Sequence, residues 1–453
     1  MPETDKPLAF FHDEPIRDTD LTFSEAVTEA RRCLNCRVPQ CRKGCPIENE
    51  IPQFIHELTT GNLGAAAAHI YHRSDLPALC GRICPREAQC EGACILNKKG
   101  QPVQIGKLER FVADAAMDAG LLPQKASKKS NGRIAVIGSG PAGLAAARTL
   151  AQKDYDVTVF EAASQPGGTM TYGIPTFRLH KELILREVAA LERLGVSFQY
   201  GKKLGEKEDL ALLFQEGYEA VFIAVGTMEC WKLDIENDQL DGVIDAAQFL
   251  RQVEQVQLGE FALQDLPVQA GDRVVVVGAG NVAIDAARTA QRLQADVQVV
   301  YRRGPKNMKC LPSEYEEAKE DGVTFRFYAA PRAVVGTDHV EGLQYEEQEV
   351  LEDATMVPTG KFGTVQADKI IAAIGNKPET SVIRHFGVDT DRDGYIVTAE
   401  RPYRMTSMAG VFAAGDIVHK PQTVVLAMRE GRKVADSIDA YIQAKRLLSG
   451  ISQ

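Results

Sequence analysis

Two stretches of the chain carry the same pattern of apolar and polar positions. Arg133-Ile134-Ala135-Val136-Ile137 is a β-branched run that ends at Gly138, gives way to a helical segment, and is followed by Asp156-Val157-Thr158-Val159-Phe160-Glu161. Runs that are apolar at nearly every position fit strands buried on both faces, and the helix between them makes a βαβ unit with a parallel sheet. The pattern returns at Arg273-Val274-Val275-Val276-Val277-Gly278, then a helix, then Asp296-Val297-Gln298-Val299-Val300-Tyr301. Two nucleotide-binding units are expected, and no short tandem repeat suggests a solenoid. Ahead of them, residues 1–122 read as short helices. Thr22 and Glu25 form a capping box that opens a helix running toward Cys33, and a second helical stretch covers 51–71 with Pro52 in its first turn. The polar, basic segment 123–131 has no apolar periodicity and reads as a linker.

The first glycine loop is Gly138-Ser139-Gly140-Pro141-Ala142-Gly143. Glycines there permit a tight turn and let the backbone approach a pyrophosphate, which the next helix receives at its positive end. Glu161 lies 23 positions after Gly138, at the end of the second strand, where a carboxylate accepts both ribose hydroxyls. The second loop, Gly278-Ala279-Gly280-Asn281-Val282-Ala283, lacks that acid, and its second strand runs into Tyr301-Arg302-Arg303. Guanidinium groups suit a 2′-phosphate where a carboxylate would repel it, so this unit is expected to take NADP. The bland alternative for Arg302 and Arg303 is a solvated basic pair.

Cysteine usage changes the picture of the amino-terminal region. Eight of the ten cysteines fall between Cys33 and Cys94, and Cys230 and Cys310 stand apart and read as small buried side chains. The first twenty residues hold no apolar core for a signal peptide, and there is no uncharged apolar run of about 18 residues for a membrane span. A cytoplasmic address is expected, where clustered thiols bind metal more often than they form disulfides. The net charge of −10 argues against non-specific binding to nucleic acid and leaves room for docking to another protein. The first group is Cys33-x2-Cys36-x4-Cys41-x3-Cys45-Pro46, and the second is Cys84-Pro85 with Cys90 and Cys94, Cys80 lying just ahead. Thiolates select zinc or iron–sulfur, and a compact run of four cysteines closing on Cys-Pro is nearer to ferredoxin spacing than to paired zinc knuckles.

The order of these motifs carries a resemblance. A cysteine-rich helical region, a linker, the first glycine loop, Gly167-Gly168 with Tyr172-Gly173-Ile174-Pro175, the Tyr301-Arg302-Arg303 signal and a closing Gly410-Val411-Phe412-Ala413-Ala414-Gly415-Asp416 follow one another. This resembles the family of the small (beta) subunit of NADPH-dependent glutamate synthase, with its wider relatives: ferredoxin:NADP oxidoreductase, sulfide dehydrogenase flavoprotein subunits and the amino-terminal part of dihydropyrimidine dehydrogenase. The resemblance implies an α/β fold: a helical domain over 1–122 binding two [4Fe–4S] clusters, then two Rossmann-like domains. The FAD domain, 132–246 and 364–453, is split by an inserted NADP domain over 247–363. Val221-Phe222-Ile223-Ala224-Val225-Gly226 and Ile370-Ile371-Ala372-Ala373-Ile374-Gly375 resemble the crossover strands between them.

By the same resemblance FAD is held by Gly138, Gly140, Gly143, Glu161, Gly168, Gly415, Asp416 and Thr423, the last in a Gln422-Thr423-Val424 segment that opens a helix toward the flavin. NADP is held by Gly278, Gly280, Asn281, Ala283, Arg302 and Arg303. Tyr172 to Pro175 are expected to shape the flavin side. Cys33, Cys36, Cys41 and Cys94 would hold one cluster, and Cys45, Cys84 and Cys90 three corners of the other. Glu109, in Ile105-Gly106-Lys107-Leu108-Glu109, is the fourth ligand the family pattern offers, with Cys80 as its rival. Hydride transfer between cofactors needs no protein nucleophile, and the nucleotide-binding half has no CxxC for disulfide exchange. The expected function is NADPH oxidation with electrons delivered to a large catalytic subunit. The alternatives are a ferredoxin-linked or sulfide dehydrogenase partner and, in another class, a zinc-stabilised nucleotide sensor.

Overall fold

The computed structural model describes residues 21–121, 129–205, 207–351, 355–379 and 385–451. Most of the expected linker therefore lies outside the described residues. The described chain divides into two compact units, one within 21–171, 178–227 and 378–451, the other within 172–177 and 228–377.

The first unit begins with helices. Thr22 caps the Phe23–Ala30 helix, accepting from the Glu25 amide while the Glu25 carboxylate accepts from the Thr22 amide at 2.8 Å, the reciprocal capping box expected. The stretch 51–71 is not one helix. It breaks into Ile51–Thr59 and Leu63–Arg73, because Gly61 turns left-handed (φ +78°) and Asn62 starts a new helix by accepting from the Ala65 amide. These helices, with Ile105–Asp118, bury Phe54, Ile55, Leu58, Ile70, Leu108 and Val112 in one core.

Four strands follow: β1 (Arg133–Ile137), β2 (Asp156–Phe160), β3 (Ser197–Gln199) and β4 (Tyr218–Ile223). All pair in parallel, with the Pro141–Gln152 helix crossing from β1 to β2. The four positions after Arg133 in β1 and the four after Asp156 in β2 are buried, as their unbroken apolar runs require.

The second unit contains the short pair β5 (Glu229–Cys230) with its later partner, then β6 (Val243–Asp245), β7 (Arg273–Val277), β8 (Asp296–Val300) and β9 (Thr324–Arg326). Three antiparallel strands, β10 (Ala329–Val335), β11 (Gly342–Val350) and β12 (Met356–Gln366), form a separate sheet. Next come β13 (Lys369–Ala372) and β14 (Asn376–Lys377), the partner of β5. The parallel sheet has the order β6-β13-β7-β8-β9. It draws in β6 and β13 from outside the 247–363 span expected for the inserted domain, because β13 pairs with β7 and its residues 370–372 pair with β6. Tyr172–Phe177 also groups with this unit and not with the flavin-side one as expected. Arg251 lies over the Tyr172 ring at 5.2 Å, and the Thr176 amide and hydroxyl donate to the buried Glu254 carboxylate at 2.9 and 2.8 Å.

The chain then returns to the first unit, where β15 (Val411–Ala413) adds to the outer edge of β4 and completes the order β15-β4-β1-β2-β3. The Val424–Ile451 helix closes over Pro141–Gln152. A Cβ on Gly431 would stand 2.1 Å from the Ala142 carbonyl oxygen, so glycine there is what lets the two helices touch.

Candidate functional site

The first glycine loop is closed on two sides and open on the third. Gly138 adopts φ +101°, and a Cβ there would lie 2.6 Å from the Ala224 carbonyl oxygen. A Cβ on Gly143 would lie 2.0 Å from the Gly138 carbonyl oxygen, which is the close helix–strand contact such loops need. Gly140, which caps the Pro141–Gln152 helix, has no neighbouring atom within 4 Å of where its Cβ would stand. That open space lies at the positive end of a twelve-residue helix and suits a pyrophosphate. Gly168 borders it, since its Cβ would come 3.0 Å from Gly140 Cα, and Gly415 approaches Ala142 at 3.2 Å in the same sense.

Around this loop the carboxylates are held in place. Buried Glu161 accepts from the Ser139 amide (2.9 Å), the Ser139 hydroxyl (2.5 Å) and the Ala163 amide (2.8 Å). Ser139 Oγ in turn accepts from the Gly167 amide at 3.0 Å, so one serine ties the glycine loop, the acid and the Gly167-Gly168 turn together. That bridging role of Ser139 was not visible in the motif, where its position is unspecified. Asp416 accepts from the Gln422 amide at 3.2 Å, and burial pushes its carboxyl up to about 6. Thr423 Oγ1, immediately ahead of the Val424–Ile451 helix, is buried without a hydrogen-bond partner in the protein. An orphaned hydroxyl at a helix N-terminus fits a ligand edge with acceptors.

In the second unit Gly278 takes φ +136°, and a Cβ there would meet the Ala373 carbonyl oxygen at 2.3 Å. Gly280 caps the Asn281–Arg292 helix beside open space, and Ala283 is fully buried beneath the turn. Asn281 Nδ2 donates to Glu314 at 3.5 Å. Past β8, Arg302 is exposed and Arg303 half-buried, at the strand end where a 2′-phosphate would lie.

The cysteines sort into two groups. Cys33, Cys36, Cys41 and Cys94 line one pocket together with Leu34 and Ile95. Their thiols feel one another: burial, reinforced by the neighbouring thiols, pushes Cys33 up and Cys41 to about 11. The other group comprises Cys45, Cys84, Cys90 and Glu109, with Cys80 against Cys84. Burial drives Cys45 up to about 11 and Cys90 higher still, the hydrogen bond with Cys80 and then burial drive Cys84 up, and the Glu109 charge adds to each. Glu109 itself is pushed up to about 7 by burial, against the opposing pull of Arg86, and accepts from Asn49 Nδ2 at 3.1 Å. Sequence reasoning had no signal for Asn49. Thiols pushed up in this way become anionic ligands only beside compensating positive charge, which is what a metal centre supplies. Among the described residues no three His, Cys, Asp or Glu side chains converge as the ligands of a single ion would. Cys230 and Cys310 are buried.

Residues 15–121 match the family described as dihydropyrimidine dehydrogenase domain II, 4Fe-4S cluster, and residues 132–431 match the pyridine nucleotide-disulphide oxidoreductase family. The glutamate synthase [NADPH] small chain of Escherichia coli K12 is 36% identical over 93% of both chains. The chain belongs to the glutamate synthase small-chain family. The chain is also similar to the putative oxidoreductase AegA of the same organism, 35% identical over 94% of this chain and 67% of that one. Among solved structures, Mycobacterium tuberculosis FprA in complex with NADPH shares the fold, with a TM-score of 0.58 at 20% identity over 70% of this chain and 86% of that one. As a small-chain family member this protein is an NADPH-dependent oxidoreductase with FAD and [4Fe–4S] cofactors, which excludes the zinc-stabilised sensor. No helix among the described residues is long and apolar enough to cross a membrane.

Proposed function

We propose that this chain is the NADPH-oxidising, electron-input subunit of a glutamate synthase and works in the cytoplasm with a separate large catalytic chain. The observation that carries the reading is the 36% identity to a glutamate synthase small chain along nearly the whole of both sequences. When bound, FAD accepts hydride from NADPH and the iron–sulfur clusters carry its electrons onward singly.

The residues divide that work. Gly138, Gly140, Gly143 and Gly168 leave room for the FAD pyrophosphate, Glu161 takes the ribose, and Gly415 and Asp416 hold the ribityl–phosphate region. Thr423 and the helix behind it face the flavin edge where negative charge develops on reduction. Gly278, Gly280, Asn281 and Ala283 form the NADP loop, and Arg302 and Arg303 grip the 2′-phosphate. Replacing both arginines with glutamine should raise the KM for NADPH at least tenfold, the loss of a charge-assisted hydrogen bond or two, and leave the KM for NADH nearly unchanged. Equal changes with both coenzymes would remove the arginines from this role.

Cys33, Cys36, Cys41 and Cys94 hold one cluster; Cys45, Cys84, Cys90 and Glu109 hold the other. Substituting Glu109 with alanine should perturb the EPR signal of a single cluster and leave the flavin content intact. Unchanged spectra and iron content would pass the fourth position to Cys80.

The deciding experiment is anaerobic co-expression with a glutamate synthase large chain. NADPH-driven formation of glutamate from glutamine and 2-oxoglutarate is expected. Flavin that bleaches with NADPH while no glutamate forms would defeat the partner assignment. A second reading, a different electron acceptor, draws on the comparable identity to AegA.

A further inference from the structure

The protein carries ten more carboxylates than cations, yet two segments next to one group of cysteines are locally basic, with Glu29, Glu48, Glu91 and Glu109 just outside them. From 31 to 47 there are five cations, Arg31, Arg32, Arg37, Arg42 and Lys43, and no carboxylate. From 95 to 108 there are three, Lys98, Lys99 and Lys107, again with no carboxylate. Arg32 is used structurally, bonded to Glu29 at 2.6 Å and to the Gln101 carbonyl oxygen at 2.7 Å. Arg31, Arg37, Lys43, Lys98 and Lys99 are exposed.

The centre of this surface is apolar. Leu34 is 60% exposed, Val38 54% and Ile95 40%. Leu34 and Ile95 line the same pocket as Cys33, Cys36, Cys41 and Cys94, and Cys94 caps the short 3-10 helix Ile95–Lys99 that carries the two lysines. All four of these cysteines are partly exposed; in the other group Cys45 and Cys84 are partly exposed as well, and Cys90, with the neighbouring Cys80, is buried. Large apolar side chains held in water beside a redox site, ringed by one sign of charge, are the composition of a docking face.

We propose that this basic, apolar-centred surface is where an acidic redox protein docks and where electrons leave the chain. The inference rests on the electron-transfer reading above and adds the exit site and the charge of the partner. Attraction between a basic ring and an acidic partner speeds encounter by about 10- to 1000-fold at low salt, and the apolar centre then excludes water at the contact. The group in which no cysteine is buried, and which shares its pocket with exposed Leu34 and Ile95, is the one a partner could approach most closely.

Two variants test it, Arg37→Glu and the pair Lys98→Glu with Lys99→Glu, the second leaving the Cys33–Cys41 loop untouched. Iron, sulfide and EPR signals should match the unaltered chain, as should NADPH-driven reduction of menadione, a small uncharged acceptor. NADPH-driven reduction of a glutamate synthase large chain, and of an acidic plant-type ferredoxin, should fall at least tenfold at low salt. The steep decline of the unaltered chain's rate with added salt should flatten. A chain that reduces ferredoxin but not the large chain defeats the glutamate synthase reading and sustains the docking face. Equal rates for the variants and the unaltered chain overturn the proposal, and so does an unaltered chain that reduces neither protein. A third outcome also overturns it: reduction that appears only after residues 1–20, with six carboxylates against two cations, are deleted would assign the face to the chain's own acidic segment.

Discussion

Replacing Arg148 with alanine should destabilise the protein by about 3–5 kcal/mol, because it leaves the buried Glu187 carboxylate without its ion-pair partner. Arg148, on the Pro141–Gln152 helix, is 2% exposed, and its Nη2 donates at 2.9 Å to Glu187, which is fully buried on the Lys181–Arg193 helix. Its guanidinium also lies 5.8 Å from the Tyr71 ring, at the end of a helix of the cysteine-rich region. The other oxygen of Glu187 has no hydrogen-bond partner, so removing Arg148 leaves the carboxylate with the weaker pull of Arg186 and no hydrogen bond among the described residues. Burial already pushes Glu187 up to about 7 and nearby Asp75 up to about 6, although Arg148 pulls both down.

The sign of the pH dependence follows. A carboxyl that holds its proton more tightly in the folded than in the unfolded chain favours folding at low pH, and that contribution is lost as pH rises from the unfolded value near 4 through the folded values near 6 and 7. The Arg148→Ala defect should therefore be largest near pH 8.5 and smaller near pH 6, where the carboxyls can stay neutral. Glu187→Gln added to Arg148→Ala should recover much of the loss at the higher pH. Thermal unfolding midpoints of the three proteins, followed by circular dichroism at both pH values, decide the matter. A loss of equal size at both, with no rescue, would mean that the pair stabilises by packing alone.

That pair was not legible in the sequence. Arginine and glutamate on amphipathic helices read as solvated faces, and only the docking of the cysteine-rich helices onto this side of the first unit buries them. What could be read was local or strongly periodic: the Thr22–Glu25 capping box, the two βαβ units, the glycine loops and the grouping of the cysteines. The sheet to which β13 belongs was harder to place. Its Lys-Ile-Ile-Ala-Ala-Ile-Gly run looks like that of β4, since both are buried parallel strands, and an apolar run does not say which neighbours it pairs with. The break at Gly61-Asn62 did carry a signal, a left-handed glycine followed by a capping asparagine, which the surrounding helical periodicity outweighed. The antiparallel β10–β12 sheet left no comparable mark, because long strands with polar residues on one side resemble a solvated loop region until their partners are known.

Gly143→Ala should yield a chain that folds but holds almost no flavin. The added methyl would stand 2.0 Å from the Gly138 carbonyl oxygen and 3.3 Å from a Val136 side-chain methyl, and the closer contact is with backbone, which cannot rotate away. The helix must retreat from β1, and with it go the amide groups at its N-terminus that face the open space beside Gly140. Binding of a pyrophosphate depends on those amides being aimed together, so a small retreat removes several hydrogen bonds at once. Overall stability should suffer less than flavin occupancy, because the four core positions of β1, its pairing with β2 and β4, and the helix's packing against Val424–Ile451 remain available. The corresponding change at Gly140 makes the contrast: its Cβ would point into open space, so Gly140→Ala should leave the helix where it is and weaken FAD only by occupying the space the pyrophosphate needs. Absorbance at flavin wavelengths per chain, together with the far-ultraviolet circular dichroism of both variants, separates the two effects. Full flavin occupancy in Gly143→Ala would mean that the helix–strand contact is not what positions the cofactor.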